Sequence, residues 1–378
     1  MSKIKHKLQY IGSFDCIRGI ATLFVLLIHG SYGFFKGAWI ALDLFFVLSG
    51  FLITTLLYNE YFTSGKISFS NFYARRALKI FPPLIICILL ANVLWPFTTL
   101  EDGADNTLAT AGAFLYFSNF LQVKIMGNMH HLWSLSVEEH FYFLWPLLML
   151  FFILKTSFRK QTFFLVTSIV VVSIFRIVVF NHHVSSELFM LDPYRCTFAR
   201  IDGIMMGALL CFILKDKSLD LRTESKTLIT LVLGIFVCAF IFILFSVSEI
   251  DFYWNNGGFI ITNLLCTITI WIAIKEPNHF FFSSKILRWV GKRSYSIYLY
   301  HIPIFLLFEN FRQPHNLTNL VIITLLRFAI SIAMAALSYK YIEQPILKLK
   351  KRYEVYKMKN RSMEVFNKGL VTLQSERN

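Results

Sequence analysis

Ten apolar runs of about 20 residues constrain this chain more than any other feature. In hydrocarbon only a helix closes its own backbone hydrogen bonds over such a length. The runs lie near 13–33, 39–60, 78–99, 131–154, 161–180, 195–214, 227–247, 257–275, 294–311 and 318–342. Composition agrees: 56% of residues are hydrophobic and 16% charged, whereas a soluble protein carries about a quarter charged. A soluble globular enzyme and a disordered chain are thereby excluded. The net charge of +15 would suggest nucleic acid in a soluble protein, but here it sorts by side. With both termini placed in the cytosol, 29 of the 37 Lys and Arg fall in the inner segments 1–12, 61–79, 155–160, 215–226, 275–293 and 340–378. Four (Lys36, Lys124, Arg195, Arg312) fall in outer loops, and four (Arg18, Arg176, Arg200, Arg327) lie within spans. This asymmetry predicts an all-α membrane protein of about ten transmembrane helices with both termini cytosolic. It also absorbs most of the charge without a nucleic-acid partner.

The segment 107–123 is apolar but short, and is expected as a re-entrant or interfacial helix in the longest outer loop. Residues 1–345 form the membrane domain. Residues 346–378 are expected as a basic cytosolic tail, either near anionic lipid heads or simply solvated. The start, MSKIKHKLQY, has no small-residue cleavage site and is expected to lead into an uncleaved first span. The six cysteines are scattered without metal or disulfide spacing, so neither a zinc site nor a disulfide framework is expected.

Ionisable residues inside spans are costly and mark either function or structural pairing. In span 1, Arg18 and His29 are eleven residues apart. They share one helix face, about 16 Å apart along the axis. In span 2, Asp43 matches the depth of His29, where it either orients the imidazole or caps or pairs elsewhere. Arg75, Arg76 and Lys79 cluster at the inner start of span 3 and either grip a phosphate or anchor the span in the positive-inside sense. Span 4 carries a polar stripe of His131, Glu138 and Tyr142 with Glu139 beside it, read as a cavity lining or a structural pair. In span 9, Ser294, Tyr298 and His301 step at i, i+4 and i+7, open to packing or chemistry alike. No third ligand at metal spacing joins His130 and His131, so no metal is expected.

These stretches together resemble one family. They are FDCIRGIATLFVLLIH (14–29), ALDLFFVLSGFLIT (41–54), FYARRALKIFP (72–82), HLWSLSVEEHFYFLWPLL (131–148), RIDGIMMGAL (200–209), VGKRSYSIYLYHIP (290–303) and YIEQP (341–345). In this order they resemble the acyltransferase-3 family of integral membrane acyltransferases. The resemblance implies transfer of an acyl group, usually acetyl from acetyl-CoA, to a hydroxyl of a cell-envelope glycan. It implies residence in the cytoplasmic membrane of a bacterium. The family's arginine–ten residues–histidine motif falls on Arg18 and His29, and its basic motif on Arg76 and Lys79. A second arginine is usual where Lys79 stands, and lysine lacks the bidentate fork. Cys16 replaces a small residue. Some relatives carry a fused extracytoplasmic hydrolase-like domain, which this chain is expected to end too soon to hold.

The expected mechanism keeps the nucleotide of the donor near Arg75, Arg76 and Lys79 and runs the pantetheine arm past Arg18. The thioester arrives at His29, which is a general base oriented by Asp43, or is itself acylated. Glu138, Glu139, His131, Tyr142, Tyr298 and His301 are the expected acceptor-binding residues, with the glutamates holding the acceptor from the outer side. Lipopolysaccharide O-antigen, peptidoglycan, a capsular polymer and a small glycosylated metabolite all remain open as acceptors. The rival reading is a polytopic transporter or flippase of an envelope glycan or lipid precursor, against which no inverted repeat or paired broken helices are seen. A membrane sensor without chemistry is a third class.

Overall fold

Hydrocarbon offers no partner for backbone N–H and C=O groups, so each apolar run resolves as a helix that satisfies its own. A computed structural model describes residues 11–31, 33–100, 102–151, 153–182, 191–216, 226–248, 254–313 and 316–350. In chain order the helices are α1 (Gly12–Gly30), α2 (Ile40–Ser64), α3 (Phe69–Leu94), α4 (Asn106–Phe114), α5 (Val123–Met126), α6 (Trp133–Phe151) and α7 (Phe158–His182). There follow α8 (Thr197–Lys215), α9 (Lys226–Ser246), α10 (Phe259–Lys275), α11 (Lys285–Gly291), α12 (Ser294–Leu307), α13 (Leu317–Ser338) and α14 (Gln344–Lys350). No β-strand occurs among the described residues. Nine helical segments among them are long and apolar enough to cross a membrane.

The tenth expected span, 294–311, departs from expectation. It forms α12, a helix of only 14 residues, about 21 Å long against a hydrocarbon core of about 30 Å. Ile297, Leu299 and Tyr300 on it are all within 1% of full burial. A helix surrounded by protein does not have to match the bilayer thickness, because its ends meet other helices and not lipid. The segment 107–123 gives the nine-residue α4 followed by short helical turns, too short to cross. Of the tail expected at 346–378, residues to 350 complete α14, and 351–378 lie outside the described residues.

Burial separates centre from rim. In α2, 78% of the most apolar window is buried inside the protein, against 22% in α9 and in the segment Leu317–Leu349. The rim helices present large side chains such as Phe163, Ile235 and Leu325 to the outside, which is ordinary where lipid is the solvent. Between helices in lipid there is little hydrophobic drive, so close packing of small residues supplies the attraction. The contact of α2 with α8 shows this directly. A Cβ on Gly50 would sit 1.8 Å from the Ile204 carbonyl oxygen, and one on Gly207 would sit 1.9 Å from that of Val47. Gly203 and Gly207 are four apart and share the face of α8 turned to the centre.

Candidate active site

Helix α1 is unbroken from Gly12 to Gly30 and carries Arg18 near one end and His29 near the other. Arg18 is partly exposed, with Asp15 one turn away at 3.7 Å. His29 is exposed, and its ring packs towards other rings of the bundle. The ring of His301 on α12 lies 5.1 Å from it, centroid to centroid, and the ring of His130 lies 6.1 Å away. His130 and His131 come from the 3-10 turn Gly127–Leu132 that delivers the chain into α6. His131 packs at 5.0 Å on His301 and 5.5 Å on Tyr298. Three separate pieces of chain thus bring four histidines and a tyrosine to one place.

Their hydrogen bonds fix which nitrogens carry protons. His301 Nδ1–H donates to the Tyr298 carbonyl at 2.5 Å, one turn back on its own helix. Its Nε2, buried and without a hydrogen-bond partner, is then a bare lone pair. His131 Nε2–H donates to the Leu299 carbonyl at 2.9 Å, and its buried Nδ1 likewise has no partner. The Tyr298 hydroxyl is bonded to Ser134 at 2.6 Å and also to the His131 carbonyl. His131, at 2% exposure, is committed to this framework. Among the described residues no group of His, Cys, Asp and Glu is arranged to hold a metal ion.

A second polar cluster lies further along α6. Ser134, Glu138 and Tyr142 form one stripe, and Glu139 lies beside it. Ser49 of α2 donates to Glu138 Oε1 at 2.9 Å, and the Tyr142 hydroxyl donates to Oε2 at 3.3 Å. The Arg76 guanidinium of α3 lies over the Tyr142 ring, 3.3 Å from its centroid, and 3.8 Å from Glu139. Lys79 interacts electrostatically with Glu138, Glu139 and Glu343. Ser296 of α12 holds Glu343 at 2.6 Å. The glutamates therefore meet the basic pair of α3. The reason is axial: from Trp133, Glu138 and Tyr142 lie five and nine residues down α6, about 8 and 14 Å.

Two expectations are corrected. Asp43 does not orient His29. Its Oδ1 accepts from Arg200 at 2.6 Å and its Oδ2 from Thr262 at 3.1 Å, all three groups being fully buried. Arg176 and Asp202 form a second buried pair at 2.9 Å, and the Phe259 ring underlies both guanidinium groups at 4.8 and 4.3 Å. A guanidinium that α8 carries into the bundle demands a counter-charge, and Asp43 supplies it. Arg75 is also committed elsewhere. It pairs with Glu60 at 3.2 Å, and the other oxygen of Glu60 accepts from the Ser68 backbone at 2.8 Å, which stitches the α2–α3 turn. The residues that sequence reasoning passed over are small: Ser49, Ser134 and Ser296. Ser134 was detectable as the outward extension, at i−4, of the Glu138–Tyr142 stripe.

The chain spans 58% of the length of the curated relatives it matches. It is 30% identical over 359 residues, 90% of its own length, to the O-acetyltransferase OatA of Staphylococcus aureus strain NCTC 8325 / PS 47, and equally to that of strain COL. No solved structure matches it. A family model described as an acyltransferase domain matches residues 11–336. The motifs from Arg18 to the VGKRSYSIYLYHIP stretch, the helical bundle that gathers them and this match agree: the chain belongs to the acyltransferase-3 family.

Proposed function

We propose that this protein is a membrane-bound O-acyltransferase of the bacterial cytoplasmic membrane. It moves an acyl group, acetyl in the first instance, from cytosolic acyl-CoA to a hydroxyl of a cell-envelope polysaccharide or glycoconjugate. The observation that carries the reading is the placement of His29. It is an exposed imidazole set against the buried His301 and the half-buried His130, with Arg18 on the same helix about 16 Å nearer the cation-rich side. Arg18, Arg76 and Lys79 are the cations for the anionic donor. The charge asymmetry of the loops supports their cytosolic side and the cytosolic position of both termini.

His29 accepts the proton of the acceptor hydroxyl as its oxygen attacks the thioester carbonyl. The carbon–sulfur bond then breaks, and the leaving thiolate takes the proton back from the imidazolium. The products are an acyl ester and CoA thiol, with no net proton. His301 replaces Asp43 as the neighbour that positions the His29 ring. Tyr298 and Ser134 contact the acceptor, while Glu138, Glu139 and Tyr142 link the donor cations to the histidine cluster.

The test uses purified full-length protein, labelled acetyl-CoA and envelope glycan fractions. His29→Ala should lower transfer by about 10²-fold or more without changing the unfolding temperature. Transfer at the full rate by that variant excludes the base role. Unchanged acetyl-CoA affinity in Arg18→Ala removes Arg18 from the donor path.

A further inference from the structure

Away from the histidines, a groove of about 620 Å³ opens at the cation-rich end of α13. One wall is apolar: Ala333, Ala336 and Leu337 of α13, with Leu337 57% exposed on the rim of the bundle. The other end is polar: Arg293, Tyr339 and Lys340. No carboxylate lines it.

Arg293 is held ready there. Its guanidinium lies 3.9 Å from the Trp289 ring centroid and 4.8 Å from that of Tyr339, and Nη1 donates to the Trp289 carbonyl. Its buried Nε has no hydrogen-bond partner. The nearby Glu343 carboxylate is bonded to Ser296 and turned inward. A second, independent feature coincides with the site. The backbone from Tyr339 to Glu343 is a π-helical turn between α13 and α14. Such a widened turn is rare and marks functional positions.

We propose that this groove binds an anionic phospholipid. The phosphodiester is recognised by Arg293 and Lys340, and the upper acyl chain lies along the alanine-lined wall of α13. Charge complementarity selects an anion, since a guanidinium and an ammonium both line the groove and its lining includes no acid, the nearby Glu343 being bonded inward to Ser296. The apolar wall on the lipid-facing side selects an amphiphile over the donor's nucleotide. The inference does not depend on the acyl-transfer reading, because no residue lining the groove is assigned to donor or acceptor there.

The experiment is native mass spectrometry of the full-length protein titrated with phosphatidylglycerol or with phosphatidylcholine. One saturable phosphatidylglycerol adduct is expected. Arg293→Gln and Lys340→Gln should each weaken it about five-fold, the Boltzmann factor of roughly 1 kcal/mol per interfacial cation. Ala336→Leu, which keeps every charge and fills the groove, should weaken it too, and Lys285→Gln, a cation outside the groove, should not. Quenching by brominated phosphatidylglycerol, taken as the difference between the protein and Trp289→Phe, locates the lipid without any charge substitution. Equal binding of phosphatidylcholine, equal loss in Lys285→Gln, or no Trp289-dependent quenching overturns the proposal. Displacement of the lipid by acetyl-CoA, with donor affinity falling in Arg293→Gln, also overturns it and assigns the groove to the donor.

Discussion

Removing either partner of the Asp43–Arg200 pair should unfold the protein more readily than removing both. At 2.6 Å the two groups attract by about 6 kcal/mol in an effective dielectric of about 20. Much of that offsets the loss of water around two fully buried groups. Breaking such a pair leaves one charge stranded, and about 3–5 kcal/mol of stability should be lost in Asp43→Leu or in Arg200→Met. The double variant strands nothing and should recover most of it, so the coupling between the sites should exceed about 2 kcal/mol, well beyond the additivity expected of independent positions. Reversible unfolding in mixed micelles with increasing dodecyl sulfate measures all four corners of the cycle. Acyl transfer by the double variant then separates structure from chemistry. A structural Asp43 predicts that the refolded double variant keeps transfer. Additive losses within about 0.5 kcal/mol would refute the buried-pair argument. So would a double variant that folds but cannot transfer while Arg200→Met alone still does, which would return Asp43 to the chemistry.

Other outcomes follow from the same contacts. Gly207→Leu should prevent close approach of α2 and α8 and abolish a monodisperse peak in size-exclusion chromatography, whereas Gly234→Leu, with nothing within 4 Å of its Cβ, should elute like the parent. His301→Ala should lower the rate of transfer with little change in the donor KM, since it touches His29 and not the donor cations; an unchanged rate would remove it as a positioning residue. Arg76→Ala should raise the donor KM roughly 30-fold, for about 2 kcal/mol of charge-assisted hydrogen bonding to a donor phosphate. Tyr142→Phe keeps the ring under the guanidinium and should stay within about three-fold of the parent.

How far the sequence reached can be seen residue by residue. Arg18 and His29 lie on one helix, so their relation was a matter of helical geometry alone, and the same holds for the stripe through Glu138 and Tyr142. Relations between helices were not legible. Matching depth made Asp43 a plausible neighbour of His29, but depth says nothing about azimuth. The rotation of α2 is set by Gly50 against α8, and that rotation delivers Asp43 to Arg200. The Gly203–Gly207 spacing was the sequence sign of that contact. Arg75 and Arg76 are adjacent in sequence and point about 100° apart on α3, so one stitches a turn to Glu60 while the other meets Glu139.

The sequence by itself determined that the chain must be a bundle of apolar helices, because a bilayer forbids unpaired backbone and permits few other forms. It also determined which side chains share a helix face, since 3.6 residues per turn is a local property. Only the tertiary structure decided which face meets which. That choice turns on close contacts between small residues and on the need of each buried charge for a partner, and both depend on residues far apart along the chain. For that reason the four histidines gather from three separate segments, and an aspartate that sequence placed beside one of them serves an arginine instead.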